Sequence, residues 1–366
     1  MRSIGHFIFL LLLTAQLAHG ANQEAPQYPD HSRLTIYLDS SGAEHPVRTP
    51  EDWAVRRRHI VEGMERAMGP LPDRSKFPPL DMRVREEFQG DGYVRQTISF
   101  TAEPPDRVPA HLYLPDRRPE DTRSPAMLAL HPTSVHGKGR VTAAGGEPNR
   151  GYGSELARRG YVVIAPDHPP FGDYKKYDFA ADPYVSGSMK GIVNCMRCVD
   201  LLAARDDVDP ERIGVIGHSL GGHNAMFAAA FDQRLKVTVS SCGWTPFHDY
   251  RGAKLGPWAQ ECYMPLLRNK YRLDPDRVPF DFYEVVAALA PRAFFSNSPL
   301  HDSNFDVAGV KKATAKAHPV FKLLGAADRL EVRHPDCGHD FPPEVRREAY
   351  AFIDRVLNHT PTHKVP

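Results

Sequence analysis

Beyond residue 123 the sequence alternates short apolar runs with helix-forming stretches, and no other feature limits the possible folds as strongly. The apolar runs at 127–130, 161–165 and 212–216 are strand-like, and helical patterns cover 189–204 and 220–231. Parallel strands need crossover connections, which are usually helices lying on the faces of the sheet. The alternation therefore predicts an α/β fold, with a mainly parallel sheet that carries helices on both faces.

Three further strand-like runs precede this region, at 82–88, 94–101 and 108–114, and turn signals separate them. Consecutive strands joined by short turns pair in the antiparallel sense. We therefore expect these N-terminal strands to extend one edge of the parallel sheet. Together the two regions predict one main domain over 82–366.

Residues 21–81 are more polar and predict an N-terminal extension that contains one helix. Thr49 is suited to the N-cap of this helix, and Gly69 is suited to its end. The three arginines at 56–58 form a charge run within the helix. We expect this run to lie on a solvated face and not to form a binding patch.

The overall composition excludes two classes of protein. The chain has 366 residues, 46 Lys+Arg against 45 Asp+Glu, 41% hydrophobic residues and 25% charged residues. These proportions are those of a globular protein and not of a disordered one. A formal net charge of +1 also argues against a protein that holds nucleic acid through phosphate contacts.

Residues 1–20 have the pattern of a secretory signal peptide. Arg2 supplies positive charge, residues 8–13 form an apolar run, and Ala18 and Gly20 are the small residues of a cleavage site. The apolar run is too short to span a bilayer comfortably. This pattern predicts cleavage near Gly20 and a secreted or periplasmic protein without a membrane span.

The cysteine count does not decide a disulfide pattern. An odd number leaves at least one thiol free if the others pair. Cys195 and Cys198 form a C-x-x-C pair inside an apolar helical stretch, and no second pair stands at zinc-finger spacing, so we expect buried, unreactive thiols. Pairing stays open for all five residues: Cys195, Cys198, Cys242, Cys262 and Cys337.

The segment Gly217-His218-Ser219-Leu220-Gly221 fits the pattern G-x-S-x-G. It lies directly between the strand-like run 212–216 and the following helical pattern. This strand–turn–helix context is the one that a nucleophile elbow needs, because the tight turn exposes a strained serine. The sequence therefore predicts that Ser219 is a catalytic nucleophile.

A serine hydroxyl needs a base, and the base needs an orienting carboxylate. His339 follows the last predicted strand and is the candidate base, while His218 and His223 lie beside Ser219 in sequence and cannot easily face it. Asp302 follows the preceding strand and is the candidate acid; its main rival is Asp328. The predicted catalytic residues are thus Ser219, Asp302 and His339, in that chain order.

An oxyanion intermediate needs two preorganised donors. One donor is expected to be the backbone N–H of Leu220, the residue after the nucleophile. The other is expected in the loop after the run 127–130, where Pro132 has no N–H and Thr133 is the first candidate.

Between about residues 82 and 356 the chain resembles the α/β-hydrolase superfamily. The resemblance rests on the stretch 159–167, the elbow at Ser219 and the pair Gly338-His339, and it is strongest for the dienelactone-hydrolase-like, acetylxylan-esterase and prolyl-oligopeptidase-type branch. The resemblance implies an α/β-hydrolase fold and a serine hydrolase, with Asp302 in the position of the acid. A glucuronoyl-esterase elbow would carry arginine after the serine, whereas this chain has Leu220.

The segment 243–282 interrupts the strand–helix alternation and is predicted to form a cap-like segment over the site. It is rich in aromatic residues, and Trp244, Trp258 and Tyr263 are candidate substrate-binding residues because aromatic rings stack on sugars. Packing in the core is the alternative for at least half of these rings.

The leading hypothesis is an exported serine esterase that acts through an acyl-enzyme on a small-molecule or carbohydrate ester of the acetylxylan type. One alternative is a serine peptidase for short peptides, with Glu261 as an anchor for the amino terminus. Another is a non-catalytic binding protein on the same fold. None of this chemistry needs a cofactor or metal, and the oligomeric state and the acyl group stay open.

Overall fold

The computed structural model describes residues 26–116, 123–142 and 148–363. Its centre is a nine-stranded sheet, and two short strands pair separately near the N-terminus. The separate pair is β1 (Ile36–Leu38) and β2 (Glu44–Pro46). The strands of the central sheet are β3 (Arg83–Gln89), β4 (Tyr93–Thr101), β5 (Arg107–Pro115), β6 (Ser124–Leu130), β7 (Val162–Pro166), β8 (Val208–His218), β9 (Leu235–Ser241), β10 (Ala293–Asn297) and β11 (Leu330–Arg333).

Eight α-helices accompany the strands within the described residues. Most of them lie in the connections between parallel strands, as the alternation predicts. They are α1 (Pro50–Met68), α2 (Tyr152–Arg158), α3 (Gly187–Ala203), α4 (Leu220–Phe231), α5 (Leu266–Asn269), α6 (Phe282–Ala288), α7 (Val307–Leu323) and α8 (Pro343–Val356).

The order of strands across the sheet is β11-β10-β9-β8-β6-β7-β5-β4-β3. The pairs from β11 to β7 are parallel. The pairs that join β7, β5, β4 and β3 are antiparallel. The predicted fold is therefore confirmed, including the antiparallel strands at one edge.

Two apolar clusters cover the two faces of the sheet. One contains buried residues of α1, α3, α4, α6 and α7, and the other contains buried residues of α2 and α8. The strands β6 and β7 are buried along their whole length, as expected for parallel strands between helical layers. This packing holds the strands in place, and the residues of the candidate site follow the carboxyl ends of β8, β10 and β11.

The helix α1 has the predicted cap but not the predicted solvated arginines. Thr49 caps it through a capping box with Asp52. Arg56 is fully buried and pairs with Glu284 of α6, and Arg57 bonds to carbonyl oxygens at the ends of α4 and α6. The expectation of a solvated face is wrong for these two arginines, because α1 packs against α6 and the buried guanidinium groups find partners there.

The described cysteines are all free thiols. Cys195 and Cys198 lie buried on α3, and burial raises the pKa of Cys195 to about 12. No helix among the described residues is long and apolar enough to cross a membrane. The predicted signal peptide at 1–20 lies outside the described residues.

Candidate active site

Ser219 stands at the turn between β8 and α4. β8 ends at His218, α4 begins at Leu220, and Ser219 has φ 56° and ψ −118°. A serine in this region of positive φ is strained, and such strain persists only where the surrounding structure imposes it. The backbone around the turn supplies that constraint.

The two glycines of the motif allow the turn to pack closely. A Cβ on Gly217 would lie 2.1 Å from the carbonyl oxygen of Gly221. A Cβ on Gly221 would lie 2.0 Å from the carbonyl oxygen of Leu130, at the end of β6. Neither clash can be relieved by a flexible side chain, so both positions require glycine.

The Asp302 and His339 side chains form a close pair. Nδ1 of His339 lies 3.0 Å and 2.9 Å from the two carboxylate oxygens of Asp302. The Asp302 side chain is 1% exposed, and one of its oxygens also accepts the backbone N–H groups of Asn304 and Phe305. The carboxylate is thus held by the turn after β10, and the 24% exposed imidazole keeps Nε2 for another partner.

The His339 ring lies beside the elbow. Its centroid is 4.9 Å from that of His218, the residue before Ser219, and 6.0 Å from that of Phe305, on which it stacks. The Ser219 hydroxyl makes no hydrogen bond to any of the described residues. Hydrogen bonds between nucleophile and base are often long in the absence of substrate and shorten when substrate binds.

The rival acids and bases have other partners. Nδ1 of His218 lies 2.9 Å from the hydroxyl of Ser241, and burial lowers the pKa of His218 well below its ordinary value. The Asp340 carboxylate accepts hydrogen bonds from Arg150 and Asn149. Asp328 is exposed on the short turn 327–329 before β11.

A cavity of about 150 Å³ opens next to Ser219. Four of the other predicted site residues line it: Leu220, Thr133, Trp258 and Tyr263. The N–H of Leu220 belongs to the first residue of α4 and has no partner within its helix. The hydroxyls of Thr133 and Tyr263 lie 3.0 Å apart, which ties the loop after β6 to the segment 243–282.

Trp244 does not line the cavity, and its predicted role in binding is wrong. Its side chain is 1% exposed and packs against the rings of Phe282 and Phe294. Its Nε1 donates a hydrogen bond to the Ser296 hydroxyl over 3.0 Å. A buried indole needs such a partner, and Trp244 finds it inside the core, at β10.

Several cavity-lining residues were not predicted as site residues. Asn304 and Phe305 lie within three residues after Asp302, so their proximity to the acid was a usable signal. Arg251, Pro257 and Gln260 lie in the irregular segment 243–282, where no sequence period indicates which side chains face inward. His223 also lines the cavity, one helical turn after Ser219.

One sulfur, one oxygen and one nitrogen ligand atom, from Cys242, Asp302 and His339, lie within 4.8 Å of one another. Burial raises the pKa of the Cys242 thiol well above its ordinary value, and the thiol donates to the carbonyl oxygen of Asp340 over 3.2 Å. A metal ligand must be a thiolate. The arrangement is therefore that of a hydrogen-bonded acid–base pair beside a protonated thiol.

Comparison with known proteins gives a family match over part of the chain. Residues 192–325 match the family model described as "Glucuronyl esterase, fungi". The "Putative hydrolase YtaP" of Bacillus subtilis (strain 168) is 27% identical over 317 residues, which are 83% of this chain and 99% of that protein. The "4-O-methyl-glucuronoyl methylesterase" of Hypocrea jecorina (strain QM6a) is 26% identical over 51% of this chain and 44% of its own length.

The fold is also that of solved esterase structures. A glucuronoyl esterase from Solibacter usitatus superposes with a TM-score of 0.69 at 21% identity, over 92% of this chain and 98% of that one. The chain has the α/β-hydrolase fold. The resemblance stated from the sequence is thereby confirmed at the level of superfamily and fold.

Proposed function

We propose that this chain is a serine hydrolase that cleaves carboxylic esters of carbohydrates through an acyl-enzyme. The observation that carries the proposal is the strained Ser219 at the elbow, with the hydrogen-bonded His339 and Asp302 beside it. The relatives named as glucuronoyl methylesterase and glucuronoyl esterase support a carbohydrate ester as the substrate class. A glucuronoyl-esterase elbow carries arginine after the serine, and this chain has Leu220 there. The proposal is therefore not restricted to glucuronoyl esters, and it includes acetyl esters of sugars.

In the acylation step the Ser219 oxygen attacks the ester carbonyl carbon. Nε2 of His339 takes the hydroxyl proton as the carbon–oxygen bond forms, and the electron pair of the carbonyl moves to its oxygen. The resulting tetrahedral intermediate collapses, the alcohol leaves, and His339 returns the proton to the alcohol oxygen. Asp302 accepts Nδ1–H throughout, which orients the ring and stabilises the imidazolium.

In the deacylation step a water molecule repeats the sequence on the acyl-enzyme. His339 takes one proton from the water, and the hydroxide oxygen attacks the acyl carbon. Collapse of this second intermediate breaks the bond to Ser219, which regains its proton from His339. The products are a carboxylic acid and the free enzyme.

The developing oxyanion would accept hydrogen bonds from the backbone N–H groups of Leu220 and Thr133. The start of α4 also supplies a favourable helix dipole at this point. Removal of one such donor typically costs ~3–4 kcal/mol of transition-state stabilisation. Both residues line the same cavity as Ser219, which supports this assignment.

The peptidase alternative lacks its expected anchor. Glu261 is exposed and is not among the residues that line the cavity beside Ser219. No carboxylate is among the described lining residues, so the amino terminus of a peptide would have no ionic partner there. The comparisons also do not favour a peptidase.

Export to the periplasm or medium is part of the proposal. It rests on the signal-peptide pattern of residues 1–20, and it would bring the enzyme to extracellular carbohydrate. Detection of the processed protein in the culture medium or periplasm, with Ala21 as its first residue, would support export.

The test of function is hydrolysis of 4-nitrophenyl acetate, butyrate and octanoate beside an alanyl anilide. We expect acetate turnover that decreases with acyl-chain length, because the cavity of about 150 Å³ holds only a small group. Ser219→Ala is the control and should be inactive. Cleavage of the anilide in preference to the esters would favour the peptidase, and retained activity in Ser219→Ala would refute the assigned nucleophile.

A further inference from the structure

A buried amide connects the segments that carry the proposed catalytic residues. Asn297 is the last residue of β10 and is fully buried. Its Nδ2 donates one hydrogen bond to Oγ of Ser241 and another to the carbonyl oxygen of Asp340, each over 2.8 Å. Ser241 ends the neighbouring strand β9, and Asp340 directly follows His339. The amide of Asn297 therefore joins the ends of two strands to the loop that carries the base.

Ser241 continues this connection to the elbow. Its backbone carbonyl oxygen accepts the N–H of Ser219 over 2.8 Å, and its hydroxyl lies 2.9 Å from Nδ1 of His218. Because the Asn297 amide donates to the hydroxyl oxygen, the hydroxyl proton is left for Nδ1 of His218. The hydrogen bonds therefore run without a break from the residue before the nucleophile to the residue after the base.

The carbonyl group of Asp340 is held by two donors. Besides Nδ2 of Asn297, the thiol of Cys242 donates to the same oxygen over 3.2 Å. A backbone carbonyl oxygen has two lone pairs, so both are engaged and the backbone one residue after His339 is fixed. Cys242 itself has φ 49°, a strained conformation for a residue with a side chain, and its N–H donates to the backbone oxygen of Asn297 over 2.8 Å. The strained turn and the amide thus hold the same point of the loop.

From these contacts we infer that Asn297 is a positioning residue, which sets the distance between the Ser219 oxygen and Nε2 of His339. The inference rests on the proposed function. Asn297 does not line the cavity beside Ser219, so it acts through Ser241 and Asp340 and not on the substrate. Reacting groups must be held in a productive geometry, and a displacement of about 1 Å can cost about 10²-fold in rate.

Asn297→Ala is the direct test, with 4-nitrophenyl acetate as the substrate. We expect kcat to fall by a factor on the order of 10 to 10², because His339 is no longer held against the elbow. KM should stay unchanged, because Asn297 does not line the cavity. The apparent pKa of the base in the pH profile of kcat/KM should also stay unchanged, because Asp302 keeps its place beside His339. Lower thermal stability with an unchanged kcat would show a packing role only and would overturn the inference.

Asn194→Ala is the matched control. Asn194 is also a buried amide, but it lies on α3 and its Nδ2 bonds to the hydroxyl of Tyr174. The variant should lose stability and keep the kcat of the wild type. A loss of kcat in Asn194→Ala as large as in Asn297→Ala would show a general effect of a buried cavity and would overturn the inference.

Ser241→Ala tests the next member of the chain. It should lower kcat about two- to tenfold, which is the range for one hydrogen bond. Adding it to Asn297→Ala should cause no further loss, because the amide that connects Ser241 to Asp340 is already absent. Losses that multiply in the double variant would overturn the inference. If Asn297→Ala does not fold, an unchanged kcat in Ser241→Ala would overturn it.

The rate of labelling by a fluorophosphonate separates this inference from the proposed function. The Ser219 oxygen attacks phosphorus, fluoride leaves and His339 takes the hydroxyl proton, so the rate reports the alignment of these two residues without an ester substrate. We expect Asn297→Ala to be labelled on Ser219 at least about tenfold more slowly than the wild type and Asn194→Ala. This result supports the positioning role even if no carbohydrate ester is hydrolysed. Equal rates would refute the role even in an active esterase, and a wild-type protein that takes up no label would refute both the role and the proposed function.

Discussion

The elbow and the segment 243–282 border the same cavity but are built in different ways. At the elbow, backbone atoms determine the geometry. A Cβ added to Gly217 or to Gly221 would lie only 2.1 Å or 2.0 Å, respectively, from a backbone carbonyl oxygen. In the segment 243–282, side chains determine it, and the backbone forms only short helical turns. The elbow therefore tolerates few residue types, whereas the other wall can change its chemistry by substitution.

The same contrast separates two tryptophans of the segment. Trp244 donates a hydrogen bond to Ser296 inside the core, while Trp258 is nearly as buried, lines the cavity and has no hydrogen-bond partner for Nε1 among the described residues. The comparison implies that the elbow side supplies the chemistry and the 243–282 side supplies the recognition. Four predictions test this division.

The largest expected effect is at the catalytic pair itself. Ser219→Ala or His339→Ala should lower kcat on 4-nitrophenyl acetate by a factor on the order of 10⁶, by analogy with dissected triads. Thermal stability should not fall, because neither side chain is part of the apolar core. A variant that loses activity together with its cooperative unfolding transition would show a structural role instead.

Asp302→Asn should lower kcat by a factor on the order of 10⁴, because an amide no longer stabilises the imidazolium and favours the wrong tautomer. Asp328→Asn is the matched control, since Asp328 is exposed on the turn before β11 and His339 pairs with Asp302. It should leave kcat unchanged. If Asp302→Asn left kcat unchanged and Asp328→Asn were inactive, the catalytic acid would be Asp328 and not Asp302.

Acid should destabilise the fold through three buried neutral histidines. Burial lowers the pKa of His111 to about 3, of His168 to about 4 and of His223 to about 3. In the unfolded chain each titrates near 6.5, so the stability they contribute is complete above that pH and is lost as the pH falls towards the folded value. Each imidazole then costs about 1.4 kcal/mol per pH unit below 6.5.

Urea unfolding at pH 7 and pH 5 measures this effect, and the midpoint should be lower at pH 5. Burial raises the pKa of Asp281 to about 7, so this carboxyl acts in the opposite direction and stabilises the fold as the pH falls. Burial also lowers the pKa of His59, His131 and His218, so the buried imidazoles outweigh this carboxyl and a net loss of stability is expected. A midpoint that is equal or higher at pH 5 would contradict the prediction.

The smallest expected effects distinguish the two tryptophans. Trp244→Phe should lower the free energy of unfolding by about 2–3 kcal/mol, through the lost hydrogen bond and the cavity it leaves, with kcat and KM unchanged. Trp258→Phe should raise KM a few-fold for a carbohydrate ester. It should also lower the free energy of unfolding, but by less than Trp244→Phe, because the indole is buried but loses no hydrogen bond. A raised KM in Trp244→Phe together with an unchanged KM in Trp258→Phe would contradict the assignment of Trp244 to the core and of Trp258 to the cavity wall.

The features that could be predicted from the sequence are those that neighbouring residues determine. The strand before Ser219, the glycines beside it and the helix over 220–231 are adjacent in sequence, so the elbow carries its own signal. The long helices α7 and α8 were not predicted. α7 contains Pro319, which is ordinarily a signal of a break. α8 begins at Pro343, and a proline at this position is compatible with a helix start, so this signal was available but not used.

Features that depend on tertiary packing could not be predicted. The charge run at 56–58 gives no sign that Glu284, more than 200 residues later, lies opposite Arg56. Likewise the sequence around Trp244 and Trp258 gives no sign that both rings are buried but only Trp258 lines the cavity. The contact between Thr133 and Tyr263 is equally remote in sequence.

The most direct test of the account is covalent trapping with a fluorophosphonate, followed by intact mass measurement and peptide mapping. We predict one adduct per chain, located on Ser219, with loss of esterase activity in proportion to labelling. The Ser219→Ala protein should gain no mass. An active esterase that takes up no label, or a label on any other residue, would contradict the claim that the strained serine at the elbow is the nucleophile.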